Sequence, residues 1–178
     1  QVVHLEIVYK YYLYDDSVVV KGSNQELQKW IGPNRSDNLI KKLTKLKEKQ
    51  LPLLYKKATA PYLSELNVNP SVVIQKVLFK AQLFVPINLL TSSFPIINND
   101  CITGFYIRFH ELRSLKESCF YIPSKKDWLT DVHLSVDWMN YINFKTLVND
   151  QMTDKRSPLC WLKDSNGLLQ KFFIVWWG

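Results

Sequence analysis

From Val3 to Leu13 the side chains alternate, with Val3, Leu5, Ile7 and Tyr9 on one side and His4, Glu6, Val8, Lys10 and Tyr12 on the other. A period of two is that of a β-strand, so the chain is committed to a sheet almost from its first residue. One face of that strand is loaded with chemistry. A carboxylate in the middle of a segment rich in Val, Ile and Tyr loses hydration unless a metal ion or a cationic partner offsets the loss. Glu6 is therefore the first candidate for function. The simpler alternative is an edge strand that leaves Glu6 and Lys10 in water.

Asp15-Asp16 supply a turn after this strand, and the β-branched run Ser17 to Lys21 reads as a short returning partner. Trp30-Ile31-Gly32-Pro33-Asn34 reads as a loop, with Ser36 or Asp37 as cap of the helix that follows. In that helix Leu39, Leu43, Leu46, Gln50 and Leu53 recur at spacings of three and four and should pack, while Lys41, Lys45 and Lys49 form a separate basic stripe. Pro52 should kink or end it. A long strand is expected over Val72 to Val85, closed by Pro86, with Lys76, Lys80 and Gln82 opposite its apolar row. Further strands fall at Gly104 to Leu112 and Ser118 to Ile122, with a helix between Val136 and Met152. Leu159 to Lys163, an Asp-Ser-Asn-Gly turn and Leu168 to Trp177 form a C-terminal β-hairpin. The pattern predicts an α/β chain in a single domain over residues 1–178. The chain enters the first strand with no lead-in turn, so a preceding N-terminal segment is expected.

With 47% hydrophobic and 13% aromatic residues in 178, the chain has the means to bury a core. Lys and Arg outnumber Asp and Glu by 23 to 16, a balance of +7 that favours an anionic partner, nucleic acid first among them. Cys101, Cys119 and Cys160 are odd in number and widely spaced, without a C-x-x-C pair for zinc, and read as reduced thiols of a cytoplasmic protein. No apolar run approaches the ~20 residues of a membrane span. A Gly-rich phosphate loop, a G-x-S-x-G elbow and an H-E-x-x-H pair are all absent, which excludes nucleotide hydrolysis by a P-loop.

The run His4-Leu5-Glu6-Ile7-Val8-Tyr9-Lys10-Tyr11-Tyr12-Leu13, then Trp30-Ile31-Gly32-Pro33-Asn34 with Asp37, Leu39, Lys42 and Gln50-Leu51-Pro52-Leu53, resembles the bacterial family named domain of unknown function 1853. The likeness continues through Lys80 with Leu83-Phe84-Val85-Pro86, and through Ile122-Pro123-Ser124-Lys125 with Trp128-Leu129. That family is grouped with the PD-(D/E)XK nuclease-like proteins, so the resemblance implies a restriction-endonuclease-like core, a mixed β-sheet flanked by helices, and a metal-assisted phosphodiester site. It further implies a strand-borne acid and an upstream Asp holding Mg²⁺ or Mn²⁺, with a lysine beside the nucleophile. Glu6 matches the acid, and the upstream Asp would belong to the expected preceding segment.

The lysine has several candidates. Lys10 shares a face with Glu6, but four strand residues separate the two by roughly 13 Å, about twice the usual E-x-K reach. Lys42 and Gln50 on the helix are the alternatives, and the run from Gln50 to Tyr55 resembles the Q-x-x-x-Y helix motif of RecB-like nucleases with one residue too many. His4 is a candidate metal or water contact. Lys41, Lys45, Lys49, Lys76 and Lys80 are candidates to follow a phosphate backbone. The leading expectation is a metal-dependent nuclease-like domain acting on DNA or RNA. Its rivals are a non-catalytic nucleic-acid-binding module and an adaptor, or a homo-oligomer, that docks protein through Trp128, Trp138, Trp176 and Trp177.

Overall fold

The alternation of the first segment is realised as β1 (Val3–Tyr14), and that of Val72 to Val85 as β3 (Ile74–Pro86). A computed structural model describes residues 1–21 and 25–178. Its other elements are α1 (Gln25–Gln28), β2 (Trp30–Ile31), α2 (Leu39–Lys45), α3 (Ala60–Glu65), β4 (Ile102–Arg108), β5 (Cys119–Tyr121), α4 (Tyr141–Thr153), β6 (Leu159–Lys163) and β7 (Leu169–Val175). All seven strands join one mixed sheet in the order β2-β1-β3-β4-β7-β6-β5. β1, β3, β4 and β7 run parallel, and the outer pairings β1–β2, β7–β6 and β6–β5 are antiparallel. The C-terminal hairpin is present, with Gly167 taking the positive φ of 81° that its turn requires.

The parallel β1–β3 pairing needs a crossover, and α2 supplies it by packing across one face. Leu39 lies in a buried cluster with Tyr12, Trp30, Leu83, Val85 and Phe94. α4 sends Phe144 and Val148 onto the same face further along, against Phe105, Ile107, Phe120 and Phe172. The opposite face is closed by Trp177, with Trp128 at the margin, over Phe84, Tyr106, Phe173 and Val175.

Several local expectations are corrected. Ser17 to Lys21 forms no strand; the partner of β1 is instead the Trp30–Ile31 pair, read from its neighbours as loop, which registers against Leu13 and Tyr14. Both residues are buried, and that burial outweighs the Gly-Pro-Asn signal just after them. The cap of α2 is Asn38, whose side chain accepts from the Lys41 amide, rather than Ser36 or Asp37. Beyond Lys45 the helix widens into a π-turn over Leu46–Gln50 and then tightens into a 3₁₀ turn over Leu51–Tyr55 with Pro52 near its start. Leu39, Leu46 and Leu54 are buried, whereas Leu43 and Leu53, expected to pack, are exposed: Leu43 within α2 itself, and Leu53 past the π-turn, where Leu54 takes the inward place. The strand from Ile102 ends at Arg108, and Phe109–Leu115 is 3₁₀.

β4 joins β3 only from Leu83 onward, and β2 joins β1 only at its last two residues. The first halves of β1 and β3 therefore project from the sheet as a two-stranded parallel ribbon. α2 covers the ribbon face that bears Glu6. The other face leaves Val3, Leu5, Ile7, Ile74 and Leu78 all exposed.

Candidate functional site

The covered face of the ribbon holds the polar cluster around Glu6. Glu6 is four-fifths buried, and its two carboxylate oxygens meet different partners. His4 Nε2 lies 3.2 Å from Oε1, and Gln50 Nε2 lies 3.4 Å from Oε2. The Gln50 carbonyl accepts from Lys42 Nζ at 2.8 Å, so the amide joins the lysine to the carboxylate. On the other side, the Gln75 amide nitrogen donates to the Leu51 carbonyl at 2.6 Å and meets His4 Nδ1 at 3.0 Å. An amide nitrogen only donates, so His4 accepts at Nδ1 and keeps its proton on Nε2, facing Glu6.

Local structure brings these groups together. The parallel register sets His4 beside Gln75 and Glu6 beside Val77. The helical row through Leu39 and Leu46 ends on Gln50, which meets Glu6 on β1, and Lys42 reaches it from the preceding turns. Glu6, His4, Lys42 and Gln50 are thus one assembly, and Gln75, which the sequence pattern did not single out, completes it.

Lys10 stands apart. Its Nζ donates to Asp37 Oδ2 at 3.0 Å, which ties the strand to the loop before α2. Asp37 Oδ1 accepts from the Asn38 amide, and its carbonyl accepts from Gly32 at 2.7 Å. Lys10, Gly32, Pro33, Asp37, Lys125 and Trp128, far apart in sequence, line one cleft of about 260 Å³. Beneath it the Tyr12 phenol is held well above its ordinary range, first by burial and then by the Asp37 charge.

The expected phosphate-following lysines divide between two faces. Lys41, Lys45 and Lys49 are exposed on the α2 side, together with Lys47, Lys56 and Lys57. Residues 38–57 hold seven lysines against the single Glu48, so most of the net charge of +7 is concentrated there. Lys76 and Lys80 project from the opposite, uncovered face of β3, so they cannot continue one track with the helix lysines or approach Glu6. The tryptophans expected to anchor a partner are engaged internally. Trp177 is buried, Trp128 packs edge-on against Tyr11 and Phe173, and Trp138 and Trp176 lie under Lys163 and Lys155.

The donor set around Glu6 can be matched against the implied metal. Magnesium takes hard oxygen ligands in near-octahedral array, commonly one or two carboxylates with water and substrate oxygens. Here one carboxylate is met at both oxygens by nitrogen donors, and the nearest amide oxygen already accepts from a lysine. Among the described residues no three His, Cys, Asp or Glu side chains gather as a metal cage. As they stand, these residues do not fit Mg²⁺ or Mn²⁺.

One buried cation escaped the sequence reading. Lys171, near the start of β7, is buried with its side chain on the opposite sheet face from Glu6, where it lines a cavity. The signal was the one that exposed Glu6: a charged residue set in an apolar strand, here before Phe172-Phe173-Ile174.

Among the described residues no helix is long and apolar enough to cross a membrane. Residues 1–175 match the family described as Domain of unknown function (DUF1853). No curated protein and no solved structure gives a significant match.

Proposed function

For a chain that belongs to the DUF1853 family, we propose a nucleic-acid-associated role in which the α2 side of the sheet grips the phosphodiester backbone of DNA or RNA. The observation that carries it is the density of exposed lysine over residues 38–57, beside a strand whose one acid is already partnered. Lysines spaced along a helix and the turns after it meet successive phosphates, and binding then draws on counterion release rather than base contacts. The test is anisotropy of labelled single- and double-stranded oligonucleotides across a salt series. Wild type should bind more weakly as salt rises, and the triple reversal of Lys41, Lys45 and Lys49 to Glu should lose most of that affinity. Equal binding by the reversed protein, or none by wild type at low salt, would refute this role.

A hydrolytic form of the same role is the second reading, favoured by the Glu6–Gln50–Lys42 juxtaposition between strand and helix. It supposes a restriction-endonuclease-like core and Mg²⁺ or Mn²⁺ at Glu6, with at least one further oxygen ligand brought to the site. Incubation of the full-length protein with either ion and with DNA or RNA tests it. Cleavage that Glu6→Gln abolishes while binding persists would establish the enzyme; no cleavage of any substrate leaves the binding role alone.

A further inference from the structure

A cavity of about 680 Å³ opens at the step where β3 runs on past the first residues of β4 and β7. Among its lining residues are Ile102, Thr103, Gly104, Trp161, Gln170 and Lys171. The step arises from a register shift: Leu83 pairs with Ile102 but Phe84 with Gly104, which leaves Thr103 as the extra residue of a bulge. Gly104 lets β4 close on β7, since a Cβ there would sit 1.9 Å from the Lys171 carbonyl oxygen.

Lys171 is 3% exposed on a strand whose next four residues are all apolar and buried. Its ammonium has three protons to place. One goes to Gln82 Oε1 at 3.2 Å, and Gln82 in turn donates to the Tyr9 hydroxyl at 2.7 Å. The nearest carboxylate, Asp131, lies 3.9 Å away with its side chain 93% exposed, too far for a hydrogen bond. The face of Trp161 lies beneath the ammonium, 4.9 Å to the ring centroid. A buried cation with one neutral acceptor, an aromatic face and a solvent-screened acid is under-compensated, and removing it from water is costly. Burial accordingly draws its pKa down, and Asp131 restores only part.

We propose that this cavity is a binding site for a small organic anion, whose carboxylate or phosphate monoester group is received by Lys171 while Trp161 and Leu169, on the same face of the hairpin, hold the remainder. The volume lies within the usual range for small-molecule sites and is too small for a macromolecular groove. The lysine supplies the charge-assisted bonds that the protein itself leaves unmade. The site is independent of the nucleic-acid role, because the parallel registers put Lys171 and Gln82 on the sheet face opposite Glu6.

Acetylation of the native protein with acetic anhydride, read residue by residue by peptide mass spectrometry, tests the site. The probes are phenyl phosphate and benzoate, with benzyl alcohol as the neutral control. A bound anion should slow acetylation of Lys171 about tenfold at ten times its dissociation constant, leaving Lys41 and Lys45 unaffected. Protection by phenyl phosphate alone identifies the phosphate form, and protection by benzoate alone the carboxylate form. Protection by neither anion, equal protection by benzyl alcohol, or a Lys171 that refuses acetylation altogether would each overturn the proposal. Lys171→Met gives a second readout: the protecting anion should raise the melting temperature of wild type and not of the variant. Should that variant fail to fold, the wild-type protection pattern decides alone.

Discussion

Two charged side chains set in apolar strands, Glu6 and Lys171, meet opposite fates. Glu6 receives two neutral N–H donors, so Glu6→Gln sets its amide NH2 against one of them and should cost about 1–2 kcal/mol in urea melts, while oligonucleotide affinity stays within about twofold by anisotropy. Lys171 is under-compensated, and the sign of its pH dependence follows. Its folded pKa lies below the ordinary 10.5, so between the two values the unfolded chain binds more protons and stability rises with pH. Below the folded value the cost of the buried charge is complete. In urea melts, Lys171→Met should therefore gain most over wild type near neutral pH and progressively less as pH approaches 10.5. A constant difference across that range would contradict the depressed pKa. Beside it, Gly104→Ala forces a Cβ onto a backbone oxygen that cannot give way, and should cost about 2–4 kcal/mol by the same measurement.

The element that shapes the site is the run of α, π and 3₁₀ turns between Leu39 and Tyr55. An uninterrupted α-helix would place Leu39, Leu43, Leu46, Gln50 and Leu53 on one face; in the folded chain Leu43 is exposed within α2 itself, and past the π-turn Leu54 is buried in place of Leu53. Truncation separates the two arrangements. Leu46→Ala should cost about 2–4 kcal/mol, as for other buried leucines, while Leu43→Ala should change stability by less than about 1 kcal/mol. Comparable losses would mean that Leu43 is packed in solution like Leu46. The lysines of the same element have a separate signature. If all three expected phosphate contacts form, reversing Lys41, Lys45 and Lys49 should lower the slope of log affinity against log salt by about 0.9 per contact on duplex DNA.

Across the whole molecule, order is graded along the sheet. β4 and β7 sit between strands and under both aromatic clusters, whereas the ribbon of Val3–Tyr9 and Ile74–Lys80 has open edges and one bare face. Native-state hydrogen exchange should find the Phe172–Val175 amides protected to near the global unfolding free energy, and the ribbon amides exchanging through openings at least about 2 kcal/mol cheaper. Uniform protection would show the ribbon covered in solution. The sequence alone was enough for what depends on neighbours along the chain. Periodicity marked β1, β3 and the C-terminal hairpin, and a carboxylate out of place in β1 marked Glu6. It failed wherever the assembled packing overruled a local signal, as at Trp30–Ile31, whose pairing with β1 no turn residue announces, and at Leu43, left exposed one turn after the buried Leu39. The partners of Glu6 were decided only in three dimensions: Gln50 lies 44 residues away and Gln75 reaches it through His4. The opposite facing of Lys76 and Lys80 was likewise settled by the β1–β3 register and by the face that α2 covers. Period and composition act between near neighbours, whereas register and helix placement follow from how much apolar surface the assembled sheet can hide, a quantity no single segment carries.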